Sequence, residues 1–444
     1  MLSHQPSRRE ILRLAGVAAA AAAMRSGACE PAQRRKLAVV FTEFRLRSHA
    51  YNLLHNLLGP YLFRGKWIEP GVEVASFYAD QFPKQDMARD VSRKFGIPLF
   101  PRIDQALCLG GKQLAVDAVL VVGEHGEYPF NELGQHLYPR KEFFDQCVAV
   151  MRRSGRFVPL FNDKHLSYRW DLAKAMYDEA QKLGIPLMAG SSVPLGSRQP
   201  QLDLPEDCRI EEAVAIHGGG MEVYGYHGLE LLQSFVEARR GGETGISSVQ
   251  LLTGKAYESA AAEGRWSQAL VDAAMQAERA GDFPRQPRKV PAPTKTNDKP
   301  TEDHAIIVTY QDGTRGTVLR IGSDSNRWNF ACRLRGEEKP RATAIYNGPW
   351  GNLNLFNALT NAILQFFQTG KPPYPVERTL LAGGAIDAAM HSHHAGGKAI
   401  ATPQLEFAYQ PVDFRRFRET GESWPLLKDL PSPTTFSPGP PAKP

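Results

Sequence analysis

The sequence predicts an α/β fold: a doubly wound parallel-sheet domain, then an α+β domain on a mostly antiparallel, open-faced sheet. Three observations carry this. Residues 155–192, GRFVPLFNDKHLSYRWDLAKAMYDEAQKLGIPLMAGSS, read as strand, helix, strand with short joints, a unit whose strands pair in parallel. Short apolar runs alternate with helical patterns from residue 36 to 189. After Ser192 that alternation stops, and strands gather near 212–216, 248–252 and 305–319, the last interrupted by the hairpin pair Asp312-Gly313.

Each element has its own signal. In the defining unit, residues 157–161 form a strand, which four polar residues, Asn162 to His165, end. Ser167 is placed to cap the next helix with its hydroxyl. Leu172, Ala173, Met176, Tyr177, Ala180 and Leu183 recur at helical spacing, and Gly184 supplies the left-handed residue that stops the helix. Residues 185–189 make the second strand. Lys164 therefore stands just past the carboxyl end of a buried strand, the edge where open α/β sheets bind ligands.

Upstream, 36–41 and 72–79 read as strands, 87–95 as a helix closed by Gly96, and 115–122 as another strand. A helix over 142–153 turns Phe143, Phe144, Cys147, Val148 and Met151 inward. After the first strand a dinucleotide site should show G-x-G-x-x-G, so that backbone can approach the pyrophosphate. The chain reads FTEFRLRSHA there, with Phe41, Glu43 and Leu46 in the glycine places. Arg45 and Arg47 could compensate the charge of Glu43, or be ordinary helix-start residues. Asp80, at the end of the second strand, could accept from ribose hydroxyls or serve as a turn residue. The loop GEHGEYPFNELGQHLYPR gathers Glu124, His125, Glu127, His136 and Arg140 at a strand's carboxyl end, and His125 is either a ligand or a structural histidine.

The chain has 444 residues, room for two cores. Its formal charge of +6 sits mostly at the start: residues 1–36 hold seven Lys and Arg against Glu10 and Glu30, and the body is near neutral. A near-neutral body grips phosphate backbones poorly, so no nucleic-acid partner is expected. The five cysteines are scattered, with no zinc-ligand spacing, and no metal is expected. The start, SRREILRLAGVAAAAAAMRSGAC, pairs Arg8 and Arg9 ahead of a short alanine-rich run and resembles a twin-arginine export signal. This predicts a periplasmic or extracytoplasmic protein with no membrane span once the signal is cut near Ala28; Cys29 offers lipid anchoring as the lesser alternative. The pathway carries folded proteins, cofactor included.

Residues 151–195 resemble the Gfo/Idh/MocA oxidoreductases, among them glucose-fructose oxidoreductase and inositol dehydrogenase. Their strand ending in Glu-Lys-Pro falls on Asp163-Lys164-His165: the Lys matches, the acid is shorter and the Pro is lost. GGGMEVYGYHGLELLQ resembles the family's glycine turn and catalytic helix, which puts the catalytic His on His227. The family's preceding Asp is Val223 here, and Glu222 is expected to face elsewhere. HAIIVTYQDGTRGTVLRI and LTNAILQFFQTGKPPYPVERTLLAGGAIDAAMHS resemble the second domain's strands and closing helices, so the resemblance spans nearly all of 36–410.

The resemblance implies a Rossmann-like domain over 36–190 and an α+β substrate and oligomerisation domain over 191–415, with a signal at 1–35 and a disordered Pro-rich tail within 416–444. It implies a tightly held NAD or NADP, with Thr42, Glu43, Phe44, Arg45, Asp80, Glu124, His125 and Asp163 as cofactor-binding candidates. Asp80 leans to NAD because it would repel a 2′-phosphate. Lys164 and His227 are the catalytic candidates, acting on a carbohydrate or polyol hydroxyl. Paired second-domain sheets would give a homo-oligomer. The alternative is a non-redox protein of this fold that binds carbohydrate, or acts on it by elimination or hydrolysis; the missing glycines favour it. The His391, His393 and His394 cluster suits a helix C-terminus as well as a metal. Residues 281–300, rich in Pro, Lys and Arg, read as a surface loop.

Overall fold

The computed structural model describes residues 34–281 and 302–441. The twin-arginine segment, Cys29 and nearly all of the 281–300 loop lie outside them. Strands β1 (Arg35–Phe41), β2 (Tyr61–Phe63), β3 (Lys66–Ile68), β4 (Val72–Ala79), β5 (Leu99–Phe100), β6 (Ala118–Val122), β7 (Leu160–Asp163) and β8 (Leu187–Gly190) belong to the first half. Helices α1 (His49–Leu57), α2 (Ala88–Phe95), α3 (Ile103–Leu107), α4 (Arg140–Ser154) and α5 (Trp170–Leu183) alternate with them. Six strands pair in the order β5-β4-β1-β6-β7-β8, all parallel. The order reverses between β1 and β6, so the switch point, where such sheets take ligands, lies at their carboxyl ends. Val39, Phe41 and Leu120 face one core; Val40, Val121 and Leu160 face the other. This two-sided burial is why these strands read as continuous apolar runs.

The second half holds β9 (Ser197–Gln199), β10 (Ile210–His217), β11 (Ile246–Thr253), β12 (His304–Tyr310), β13 (Arg315–Arg320), β14 (Trp328–Leu334), β15 (Arg341–Tyr346) and β16 (Ile400–Ala401). They form one sheet, β16-β11-β12-β13-β10-β14-β15-β9, antiparallel except where β10 meets β13. Asp312 and Gly313 make the β12–β13 turn, as the sequence predicts. Helices α6 (Met221–Val236), α7 (Gly254–Ala262), α8 (Gln268–Ala280), α9 (Asn352–Thr369) and α10 (Val376–His394) complete the chain.

The second sheet carries helices against both faces, the second only in part, and three expectations are corrected. Leu229 and Leu232 of α6 and Leu381 and Ile386 of α10 cover one face; Leu270, Val271 and Ala274 of α8 cover the other, against Val214, Ile216, Leu319 and Ala331. Ser167 is not a cap: α5 begins at Trp170 after Arg169, because Asp387 takes the Trp170 N–H at 2.9 Å from across the fold. Helix α9 packs into the first half rather than the second, its Phe356, Leu359, Ile363 and Phe366 joining the core of β1 and α1.

The tail over 416–441 is ordered. Tyr51 Oη donates to Thr435 O at 3.0 Å, and the Arg47 guanidinium donates to Pro433 O at 3.3 Å and to Ser432 Oγ. Phe436 is 6% exposed and meets the rings of Phe44, Tyr51, His55 and Phe95 edge-on. At Gly59 a Cβ would stand 2.9 Å from Pro438, so a glycine lets the strap pass. Proline richness argues against helix and sheet, but it does not prevent a buried aromatic from fixing an extended segment.

Candidate active site

The site is built at the carboxyl rim of β6, β7 and β8. Gly123 follows β6; a Cβ there would lie 2.6 Å from Arg140 Cγ, so the glycine admits the arginine. Arg140, from the first turn of α4, then reaches inward. Its Nη2 donates to Glu124 Oε2 at 2.6 Å and its Nη1 lies 3.2 Å from His165 Nε2. Lys164 follows β7 in a left-handed conformation, φ 65°, which is costly for a residue with a Cβ. Reciprocal backbone bonds to Gly190 hold it there, Lys164 N to Gly190 O at 3.2 Å and the reverse at 3.1 Å. Such a conformation survives only where its surroundings impose it, and such places are often functional.

Lys164 is 3% exposed, and its Nζ donates to Glu124 Oε1 at 2.9 Å. Burial works against the Glu124 charge, but Lys164 and Arg140 outweigh it and hold the carboxyl well below the usual range. From the second half, α6 delivers His227, whose Nδ1 shares a 2.6 Å hydrogen bond with Ser191 Oγ just after β8. Burial, then the nearby charge of Lys164, push the His227 imidazole well below its ordinary pKa, so it is neutral. The charge of Lys164 thus reaches His227, and both side chains are enclosed.

The cofactor candidates divide. Thr42 Oγ1 donates to Glu124 O at 2.7 Å, and Thr42 N donates to Val122 O, stitching the end of β1 to β6 across the switch point. Glu43 is buried and ion-paired with Arg45; burial raises its pKa, against that arginine. The Phe44 ring packs in the core against Phe41, Tyr51 and Phe436, the last an aromatic partner that no local pattern announces. Asp80 already accepts from two tyrosines, Tyr78 at 2.8 Å and Tyr128 at 2.6 Å. Asp163 Oδ2 shares a 2.6 Å hydrogen bond with His49 Nδ1. His125, φ 71°, sits with its ring 5.1 Å from that of His49, and its buried Nε2 has no partner.

A dinucleotide, which this fold class implies, would lay its pyrophosphate across the ends of β1 and β6 towards the start of α1. Residues 124–129 lie over that strip. Gln81 Nε2 donates to Glu127 O at 3.1 Å and Glu127 N to Gln81 Oε1 at 2.8 Å, tying the loop to the far side of β1. The carboxylates of Glu43 and Glu124 stand just past the ends of β1 and β6, where they would oppose the charge of a pyrophosphate. The catalytic end keeps unpartnered buried polar atoms, His165 Nδ1, Asn162 Oδ1, Tyr374 Oη and Glu230 Oε2.

Sequence reasoning missed several members. His49 opens α1 and is its first residue after the loop, a position that could have been flagged. Ser191 follows a strand directly. Glu222 was expected to face elsewhere; instead its Oε2 accepts the His136 N–H at 3.2 Å, because the 123–139 loop folds over the start of α6. Burial raises Glu222 to about 7, against the His136 N–H and Arg140. Tyr226, with its ring 4.7 Å from His165, donates to Glu230 Oε1 at 2.9 Å. The histidines at the end of α10 stand apart from this site, and among the described residues no three His, Cys, Asp or Glu converge as a metal site. Among the same residues no helix is long and apolar enough to cross a membrane.

No family model and no curated protein matches the chain. Among solved structures, GenD2 from gentamicin A biosynthesis, in complex with NAD, is 13% identical over 83% of this chain and 96% of its own, with a TM-score of 0.52. A probable dehydrogenase from Thermotoga maritima is 12% identical over 83% and 99%, with a TM-score of 0.49. A myo-inositol 2-dehydrogenase from Lactobacillus plantarum is 11% identical over the same shares, also at 0.49. The likeness to GenD2 shows the fold: the two-domain architecture implied by the resemblance to the Gfo/Idh/MocA oxidoreductases.

Proposed function

We propose that the chain is an oxidoreductase that moves a hydride between a nicotinamide dinucleotide and a hydroxyl-bearing carbon of a sugar or polyol. One observation carries the reading: a strained, buried lysine at the carboxyl rim of the parallel sheet lies within electrostatic reach of a buried histidine that the second half anchors on Ser191 just after β8. GenD2, which shares the fold, is in complex with NAD. Lys164 Nζ is placed to donate to a reacting hydroxyl and lower its pKa. Glu124, itself held by Arg140, fixes that amine at 2.9 Å. His227 is the neutral base for the hydroxyl proton. The twin-arginine pattern supports export after folding, with the dinucleotide held from before export and regenerated by a second substrate.

The strip occupied by residues 124–129 favours a second reading, in which the fold is kept without redox chemistry. Glu222 and His227 then carry protons in elimination or hydrolysis of a carbohydrate. The test uses full-length protein purified from the cytoplasm of cells blocked in export. Dinucleotide released on denaturation, or saturable NAD or NADP binding with polyol-dependent nicotinamide reduction lost in Lys164→Met, is the expected result. No released dinucleotide and no binding on titration would overturn the redox reading and leave the second.

A further inference from the structure

We propose that the second half carries a separate site for a multiply charged oxyanion, a phosphate or sulfate ester of sugar size. It lies at the end of α6 remote from His227, twelve residues and roughly 18 Å of helix away. There an open cavity of about 460 Å³ is bounded by the start of β10, the end of α6, the β12–β13 turn and the end of β14. That volume falls in the range of small-molecule sites.

Six of its lining residues are arginines, against two lining carboxylates, Glu211 and Asp312. Arg239 is the fixed member: 3% exposed, it donates through Nε to Asp312 Oδ2 at 2.6 Å and through Nη1 to Glu243 Oε2 at 3.1 Å. Arg315 and Arg333 share one buried carboxylate, Glu212, at 3.2 and 2.8 Å. Arg335 stands 3.6 Å from Glu211, and Arg209 and Arg240 are exposed on the rim. The lining keeps an excess of positive charge in a concave wall, where field lines concentrate. Guanidinium forks match the paired oxygens of phosphate and sulfate, and several together select for more than one charge.

The position also joins the cavity to the interior. Glu243, which holds Arg239, accepts from Gln233; Gln233 donates to Tyr409 Oη at 3.0 Å, and Tyr409 donates to Glu237 at 2.8 Å. Arg239 is thus a rigid floor, not a surface side chain that happens to point inward.

The experiment is calorimetric titration of the full chain with sodium tripolyphosphate and, separately, with sucrose octasulfate, in low-chloride buffer. Saturable one-to-one binding is expected. It should weaken at least about tenfold, the equivalent of one charge-assisted contact, in the Arg240→Gln/Arg335→Gln variant. Both residues are exposed, so the unliganded melting temperature should not move. The tighter of the two probes names the ester. No saturable heat at millimolar probe, or affinity unchanged in the variant, overturns the site, whatever the outcome for dinucleotide.

Discussion

Replacing Lys164 by methionine removes the amine from a carboxylate it touches at 2.9 Å while keeping the length of the side chain. At an effective dielectric of about 20 the lost attraction is roughly 6 kcal/mol, most of it offset by the desolvation the lysine no longer suffers. Glu124 keeps Arg140 at 2.6 Å, so the cost should fall at the low end for a broken buried pair, about 3 kcal/mol. Glu124→Gln should cost more, about 4 kcal/mol, because it strands two cations together. The double variant should then recover at least about 1 kcal/mol relative to the sum of the singles. Urea unfolding at pH 7 gives the four numbers. Additivity within about 0.5 kcal/mol would mean that the two side chains do not meet, and the lysine's place in the site would be lost with them.

Three further outcomes follow from the packing and burial described above. Phe436→Ala should destabilise by about 3 kcal/mol in urea, as for other buried aromatics; a change under about 0.5 kcal/mol would contradict the ordered strap. Burial depresses His55 and His304 to about 4, so both stay neutral in the fold while the unfolded chain takes protons below about 6.5. Stability should therefore fall as pH drops from about 6.5 towards 4, by roughly 2 kcal/mol for each histidine at pH 5, and His55→Gln should flatten that slope. Gln81→Ala should free the 124–129 loop, raising exchange of the Glu127 amide about tenfold and tightening any dinucleotide binding; an unchanged exchange rate would show that the two Gln81 bonds do not hold the loop.

The parallel sheet was legible because its strands are buried on both faces and its helices carry clear periodicity. The βα boundary at Lys164 was legible for the same reason. The second sheet's strands β14 and β15 escaped notice, since Asn329 and Arg333 interrupt the first and the small residues Ala342, Thr343 and Ala344 give the second a weak apolar pattern. So did α7 and α8, whose alanine-rich turns, Ala260 and Ala274 among them, bury little apiece. Helix α9 looked like a closing element of the second half, and only tertiary contact shows it packing on α1. Residues such as His49, Glu222 and Ser191 gain meaning from partners far along the chain, at Asp163, His136 and His227. No window of sequence holds both members of those pairs.

The strap across α1 ties residues 47 and 51 to residues 432–436, a loop closure longer than any other described above. Contacts of such sequence separation form late and slow the search for the native state. The side of Phe44, Tyr51 and Phe95 that Phe436 covers therefore stays open to solvent, and to other chains, until synthesis has passed residue 436. A chaperone that shields that cluster during translation would raise the yield of folded protein more than one acting on the second half.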